Sequence, residues 1–566
     1  MLLNQKFKKI IPYRSIIKVY LLIIFSIFIS LLDLLSLGSI PILVGSLFDH
    51  NFLLNIKLNY LQANIEYIQK ENFIPIFVIL LFISKGFLSL FFLIYQNYIY
   101  RDLTILVSNK LFKNYIFQDY LKINNYTTSV LIRNLINEVN LTIDYLKTLV
   151  NFLKEISLFI FIFIGCLFLS AKFTILISLF FFLFVSIFFF SVRLLLKKSS
   201  LDLQIFREKQ LENINQTFRA IHDIKVSLLE KFAIDEYSNN VSKRYKLEYL
   251  SQIITGIPKV ILEVVVIIFL LSFIYFFLIG NYQLDQVFGI LSLLTIILVR
   301  FVPTFNIISS SLAKFKSIGS SLNLVSNEII KKNLFIKENH NYKLSFEKKV
   351  VFKKLNFQYE RKSLQIFKNL NLVIKKGDFI GIFGESGSGK STFLNIFSGL
   401  ITSKKGYFWA DGKKVDQNNI ISWYNSISYV PQNNYIFDDT IKNNICLGLK
   451  ESEIDTENFK KSIICSTLDS VNLDLKNFKC GEGGKFLSFG QKQRLAIARG
   501  IYKNKKILIL DECTSNLDSV TERKLLERIN HLKDDATIVI VSHKLSSLKF
   551  CNKIFKMENG KLERKE

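Results

Sequence analysis

The sequence predicts two fold classes in one chain: an all-α transmembrane domain of six helices, then an α/β domain built on a phosphate-binding P-loop. Three observations carry this. Long Phe/Leu/Ile runs fill the first half and largely stop near Ala313. From Leu344 short β-like runs alternate with helical ones, the pattern of an α/β domain. A glycine-rich loop ending in Lys390-Ser391 follows one of those strands.

The first element is the membrane region. Half of the 566 residues are hydrophobic, and the mean hydropathy of +0.30 lies above that of an ordinary soluble domain. A helix needs roughly 20 apolar residues to cross the hydrocarbon core. Six runs qualify: 16–48, 73–98, 147–170, 173–194, 253–280 and 286–312. The basic stretch Met1 to Arg14 precedes the first, as in a secretory signal. The run is too long for a signal core, and no small-residue cleavage site ends it, so it is expected to be a membrane helix. Runs three and four are separated by Ala171 and Lys172, and runs five and six by Asn281 to Asp285, which predicts tight hairpins at one face.

Loop charge sets the expected orientation. The N-terminus carries Lys6, Lys8, Lys9 and Arg14, and the stretch from the end of the fourth run onward carries eleven Lys and Arg from Arg193 to Lys246. The short hairpins carry almost none. Both termini and the loops near 99–146 and 195–252 are therefore expected in the cytosol, and the loop near 49–72 outside. The two cytosolic loops lack proline, and Leu131, Ile132, Leu135 and Ile136 fall at helical spacing. They are expected to extend the membrane helices, with a turn at the far end touching the soluble domain.

Residues 1–325 are thus the expected membrane domain, the Lys/Asn-rich stretch 326–343 a linker, and 344–566 the nucleotide-binding domain. Strands are predicted at Val350–Phe357, Phe379–Phe383, Ile427–Val430, Ile507–Leu510 and Thr537–Val541. The net charge of +27 accompanies a general abundance of Lys, Asn, Ile and Phe. No basic helix with interleaved aromatics accompanies it, so a nucleic-acid partner is not expected. The six cysteines form no C-x-x-C pair, which argues against a zinc site or a disulfide framework.

Chemistry enters with Gly384-Glu385-Ser386-Gly387-Ser388-Gly389-Lys390-Ser391-Thr392. This stretch sits between a strand and an apolar, helix-like run, the context a P-loop requires. Its backbone N–H groups would close around phosphate oxygens, Lys390 would supply charge to the β and γ phosphates, and Ser391 would reach Mg²⁺. Further on, the strand Ile507–Leu510 ends in Asp511 and Glu512. Asp511 can hold Mg²⁺ through water, and Glu512 can act as general base on the attacking water.

Between these lies Leu487-Ser488-Phe489-Gly490-Gln491. It resembles the signature motif of ATP-binding cassette proteins, which in most members reads Leu-Ser-Gly-Gly-Gln. The resemblance extends, in order, to Tyr359 as the aromatic that stacks on adenine and Gln432 as the Q-loop glutamine, also a metal ligand. It continues through Gly481-Glu482-Gly483 before the signature, Asp518 in the D-loop and His543 as the switch histidine. It implies ATP and Mg²⁺ as cofactors and an exporter half-transporter that works as a pair. In such a pair Ser488, Gly490 and Gln491 of one copy clamp the γ-phosphate held by the other. Phe489 departs from the usual glycine and puts the packing of that clamp in question. With both Glu512 and His543 intact, the pairing of two identical chains is favoured over a heterodimer.

Polar residues inside membrane runs mark candidate substrate contacts. Lys85, Lys259, Glu263 and Arg300 are the charged candidates, with Lys259 and Glu263 spaced to pair on one helix face. One reading is structural: an intramembrane ion pair, with Lys85 and Arg300 snorkelling or pairing too. The other starts from charge: Lys85 and Arg300 have no adjacent carboxylate partner on their own helices, and a cavity lined by them would suit a pyrophosphate or phospholipid head. The patterns around Pro258-Lys259 and Arg300-Phe301-Val302-Pro303 are also similar to bacterial flippases of lipid-linked oligosaccharides that serve protein N-glycosylation. An exporter of lipids such as lipid A-core, of drugs or of peptides is the alternative. The expected location is the bacterial cytoplasmic membrane with the ATPase domain in the cytosol.

Overall fold

The computed structural model describes residues 5–48, 73–169, 183, 186–187, 190, 201–279, 284–331, 344–359, 365–402, 407–471 and 473–565. Contacts divide the chain into a helical unit, 1–117 with 125–332, and an α/β unit, 118–124 with 333–566.

The helical unit contains α1 (Tyr13–Phe48), α2 (Phe73–Ile116), α3 (Val139–Leu169), α4 (Glu230–Ile279) and α5 (Leu284–Ile330). Among the described residues, Tyr13–Ile40, Pro75–Ile116 and Thr128–Gly165 are long and apolar enough to cross a membrane. Most of the fourth expected span, the loop 49–72 and the Ala171-Lys172 hairpin lie outside the described residues. The 44 residues of α2 make about 66 Å of helix against a hydrocarbon core of about 30 Å. A helix of that length is longer than a single membrane crossing needs. α5 runs to Ile330 and buries Ser326, so the helix continues past the expected start of the linker.

The stretch near 99–146 differs in one detail from a plain α-helix. Asn134–Glu138 is a π-helical turn, and Ile132 and Ile136 are exposed. What the turn buries is polar. Arg133 pairs with Glu208, Asn134 donates to the Tyr115 hydroxyl at 2.9 Å, and Gln204 donates to Glu138 at 3.0 Å. Pairing these groups across the loop competes with the apolar spacing that the sequence shows, with Glu138 Oε1 left buried without a partner.

The tip of that loop, 118–124, groups with the α/β unit. Asp119 caps the turn Tyr120–Ile123 by accepting from Leu121 N at 3.0 Å, and Leu121 packs against the α/β core. Burial, with the charge of Asp119, pushes the Tyr424 hydroxyl up to about 12.

The α/β unit has two sheets. The strands are β1 (Lys349–Phe357), β2 (Phe367–Lys375), β3 (Phe379–Phe383), β4 (Phe408–Ala410), β5 (Lys413–Val415), β6 (Ile427–Val430), β7 (Ile507–Asp511), β8 (Thr537–Val541), β9 (Lys553–Glu558) and β10 (Lys561–Lys565). An antiparallel sheet runs β2-β1-β4-β5, and a second runs β10-β9-β3-β8-β7-β6, with β9-β3-β8-β7-β6 parallel. The sequence reading passed over β2, β4, β5, β9 and β10. Three helices matter for the site: α6 (Lys390–Phe397), α7 (Phe489–Tyr502) and α8 (Ser519–Asn530). α6 is anchored by Phe393 and Phe397, which pack with Phe352, and Phe397 also meets Phe408 and Trp423. Trp423 Nε1 donates to Phe397 O at 2.8 Å, closing the helix end into the core. Aromatic burial at one end therefore fixes where the N-terminus of α6 points.

Candidate functional site

β3 is fully buried up to Ile382 and delivers Gly384 into a tight loop. A Cβ on Gly384 would stand 2.4 Å from Met557 O, so the strand can pass there only without a side chain. Gly389 has φ +105°, and a Cβ there would lie 3.0 Å from the Phe367 ring and 3.1 Å from Ile366. The turn opens directly into α6, whose first N–H groups have no intrahelical partner and are available to an anion. Lys390 is 5% exposed, and its ammonium donates to Gly384 O and Glu385 O, each at 2.8 Å. Burial lowers its pKa, and the nearby Glu512 and Asp511 charges oppose that shift. Gly389→Ala combines a left-handed φ, worth roughly 1–2 kcal/mol for a residue with a Cβ, with a tight contact. Nucleotide affinity, measured by fluorescent-nucleotide titration, is expected to fall roughly tenfold or more. Wild-type affinity would show that the loop tolerates a side chain there.

β6 and β7 are parallel neighbours, with Tyr429 beside Ile509 and Val430 beside Leu510. Their C-terminal ends therefore place Gln432 next to Asp511 and Glu512. Gln432 Nε2 donates to Glu512 Oε2 at 2.6 Å, and His543 Nε2, just beyond β8, lies 2.7 Å from Glu512 Oε1. Glu512 has φ +48°, an unfavourable conformation for a residue with a side chain, and its N–H donates to Val541 O at 3.0 Å. Strain held in place by neighbouring strands is characteristic of functional positions. Asp511 is 4% exposed and accepts from the Tyr429 hydroxyl at 3.1 Å. Burial raises the pKa of Asp511, with Tyr429 and Lys390 pulling it down and Glu512 adding to the rise.

Ser488 is the N-cap of α7. Its hydroxyl accepts from Gln491 N at 3.2 Å, and its own N–H donates to Gln491 Oε1 at 2.8 Å, a reciprocal capping box. Phe489 takes the first helical position with 73% of its surface exposed, and Lys492 lies 5.5 Å from its ring. Gly490 packs closely on Leu517. Asp518 caps α8 through Thr521 N at 2.9 Å. Sequence reading missed Gln493, which donates to Ser515 at 3.2 Å and accepts from Asn516 N at 3.2 Å, tying α7 to the turn before α8. Tyr359 lies edge-on to Phe357, with its hydroxyl 3.4 Å from Thr392 Oγ1, beside the phosphate loop.

These residues fit a magnesium nucleotide. Ser388 Oγ is buried in the loop without a hydrogen-bond partner, as expected for a donor kept for a phosphate oxygen. Two main-chain carbonyls hold the Lys390 ammonium across the same loop. Ser391, Gln432 and Asp511 carry oxygen donors of the types Mg²⁺ prefers alongside phosphate.

A second cluster lies in the helical unit. Asp33 of α1 has a 6% exposed side chain. Lys85 of α2 reaches it at 2.7 Å, Arg300 of α5 at 3.2 Å and Lys154 of α3 at 3.8 Å. Lys85 and Arg300 thus find their carboxylate partner on another helix, as the structural ion-pair reading of these residues expects. Lys85 also donates to Ser36 Oγ at 3.0 Å, while Arg300 Nε is buried without an acceptor. Beside the cluster, Thr304 donates to Glu155 at 3.0 Å. Lys259 and Glu263 are 3.9 Å apart with side chains 59% and 49% exposed, a pair on the surface of α4 outside this buried group.

Comparison with known proteins gives consistent likenesses. Residues 367–515 match the ABC transporter family. A probable ABC transporter ATP-binding/permease protein of Haemophilus influenzae is 36% identical over 210 residues, 37% of this chain and 38% of that protein. An ATP-dependent lipid A-core flippase of Pectobacterium atrosepticum is 33% identical over 213 residues, 37% of each chain. These two matches span well under half of either relative. A multidrug resistance-like ATP-binding protein, MdlB, of Buchnera aphidicola is 26% identical over 526 residues, 90% of this chain and 88% of that one. Among solved structures, a bacterial Atm1-family ABC exporter with ATP bound superposes with a TM-score of 0.79 at 17% identity, over 97% of this chain and 94% of that one.

Proposed function

The chain carries an ABC transporter ATPase domain behind a helical region of exporter fold, and we propose that it is an ATP-driven membrane exporter that moves an amphiphilic anion out of the cytosol. The observation that carries the reading is Glu512, held by Gln432 at 2.6 Å and His543 at 2.7 Å beside the buried Asp511. That arrangement orients a carboxylate for proton abstraction from a water next to a phosphate site. Lys390, Ser388 and the α6 N-terminus hold the phosphates, and Glu512 takes the water proton. His543 and Gln432 keep the carboxylate in position. Bound Mg²⁺ would neutralise phosphate charge and orient the γ-phosphate. Ser488, Gly490 and Gln491 act on the nucleotide held by the other member of a pair, and because Glu512 and His543 are both intact the pair is read as a homodimer. The two positions are coupled to export through conformations that differ in ATP affinity. The ATPase domain lies in the cytosol of a bacterium, and the helices lie in its cytoplasmic membrane.

The Asp33 cluster supports an anionic substrate class. Three cations meet Asp33 there, with the buried Glu155 beside them, and Arg300 keeps an unused donor, so the group as a whole stays net positive and favours an additional anion. A lipid-linked oligosaccharide, with its pyrophosphate, satisfies that chemistry and accords with the sequence pattern around Lys259 and Arg300. Lipid A-core has the same anionic character, and the similarity to a lipid A-core flippase favours this second reading. ATPase stimulation of the reconstituted protein by polyprenyl-pyrophosphate glycans, lipid A-core, neutral lipids and drugs separates the two.

Replacing both Lys85 and Arg300 by Gln leaves Lys154 beside Asp33, so the protein is expected to fold and bind ATP. Each charged hydrogen bond is worth about 1.5–3 kcal/mol. The double variant should therefore lose substrate-stimulated hydrolysis by tens of fold. Normal stimulation by an anionic lipid would remove the cluster from the substrate path.

A further inference from the structure

Tyr429 was not among the residues that the sequence motifs single out, yet its hydroxyl is the hydrogen-bond partner of the buried Asp511. The strand geometry explains why it can be. β6 and β7 are parallel and in register, so an aromatic side chain near the end of β6 and a carboxylate at the end of β7 can reach each other. Ser428, one residue earlier, turns to the opposite face and donates to Gly500 O at 2.7 Å. Tyr429 therefore has its ring packed against the core and its hydroxyl 3.1 Å from Asp511 Oδ2.

Asp511 is 4% exposed. A buried carboxylate without a donor is costly and free to rotate about its last bond. With Oδ2 engaged by Tyr429, the plane of the carboxylate is set, and Oδ1 is the oxygen not committed to that bond. Groups that hydrogen-bond to a metal-holding side chain fix its orientation, and their loss typically weakens metal binding about 10–100-fold.

We infer that Tyr429 is a positioning residue for Mg²⁺: by donating to Asp511 Oδ2, it orients the carboxylate that holds the metal of the bound nucleotide. This rests on the proposed reading of Asp511 as the metal-holding carboxylate, and the test separates the two. Fluorescent-nucleotide affinity of the full-length protein is measured in EDTA and across a Mg²⁺ titration, for wild type, Tyr429→Phe, Asp511→Asn and the double variant, with thermal unfolding alongside. Tyr429→Phe should raise the Mg²⁺ concentration for half-maximal effect about tenfold, leaving affinity in EDTA and the unfolding temperature as in wild type. In the double variant it should add nothing to Asp511→Asn, the signature of two residues acting through one bond. An unchanged Mg²⁺ midpoint in Tyr429→Phe, or an equal loss of affinity in EDTA, overturns the inference and leaves Tyr429 a packing residue. If Asp511→Asn responds to Mg²⁺ like wild type, the failure lies in the assignment of Asp511 itself.

Discussion

Glu512→Gln is expected to bind ATP with near wild-type affinity and to hydrolyse it at least roughly a hundredfold more slowly, the lower end of what a positioned general base contributes. The substitution preserves shape, so the contacts from Gln432 and to Val541 O can persist, and the left-handed φ is equally strained in both residues. What is lost is the basicity needed to take a proton from water. The phosphate loop, with Lys390 held by Gly384 O and Glu385 O, is untouched. Single-turnover phosphate release and equilibrium nucleotide binding, measured on the same preparation, test this. Turnover close to wild type would remove Glu512 from the chemical step. A loss of binding in parallel would place it in nucleotide recognition.

Asp33→Ala is expected to be the most damaging single change in the helical unit. It leaves Lys85, Lys154 and Arg300 facing one another around a side chain that was 6% exposed. Removing one partner of a buried ion pair typically costs about 3–5 kcal/mol, because the remaining charge is stranded. Here more than one charge is stranded. Removing a cation is a different experiment: Lys85→Gln keeps Asp33 paired with Arg300 and Lys154 and should be tolerated. Thermal unfolding in detergent and yield in membranes should therefore fall sharply for Asp33→Ala and little for Lys85→Gln. Adding Lys85→Gln and Arg300→Gln to Asp33→Ala should recover much of the loss. Equal stability of Asp33→Ala and wild type would mean that water or lipid already solvates the cluster.

The ends of β3 and β7 show why much of the nucleotide site was readable. The phosphate loop is a contiguous stretch whose geometry is set by glycine φ angles and by the helix that follows. Ser488 and Gln491 are likewise three residues apart and close on each other as a capping box. Asp33 shows the limit. Its partners lie on three other helices, and the sequence could not name the partner of Lys85 or Arg300 because only neighbours on the same helix can be read from spacing. The π-turn at 134–138 was hidden for a similar reason. The spacing of Leu131, Ile132, Leu135 and Ile136 suits an α-helix, and the competing demand comes from Glu208, Gln204 and Tyr115, all remote in sequence. β2 alternates buried and exposed positions at both ends, but its pattern slips at Lys368-Asn369, near the register shifts of its pairing with β1.

Read along the chain alone, the residues already specify long apolar helices in the first half and an α/β domain with a phosphate loop in the second. Hydropathy over about 20 residues, strand–helix alternation and glycine spacing are local properties that need no knowledge of neighbours. Which charges meet in the helical unit, and which donor holds Asp511, is settled only when the elements pack. Those contacts depend on helix packing and on the register of parallel strands, so a carboxylate on α1 can neutralise cations from α2, α3 and α5, and a tyrosine on β6 can orient an aspartate on β7.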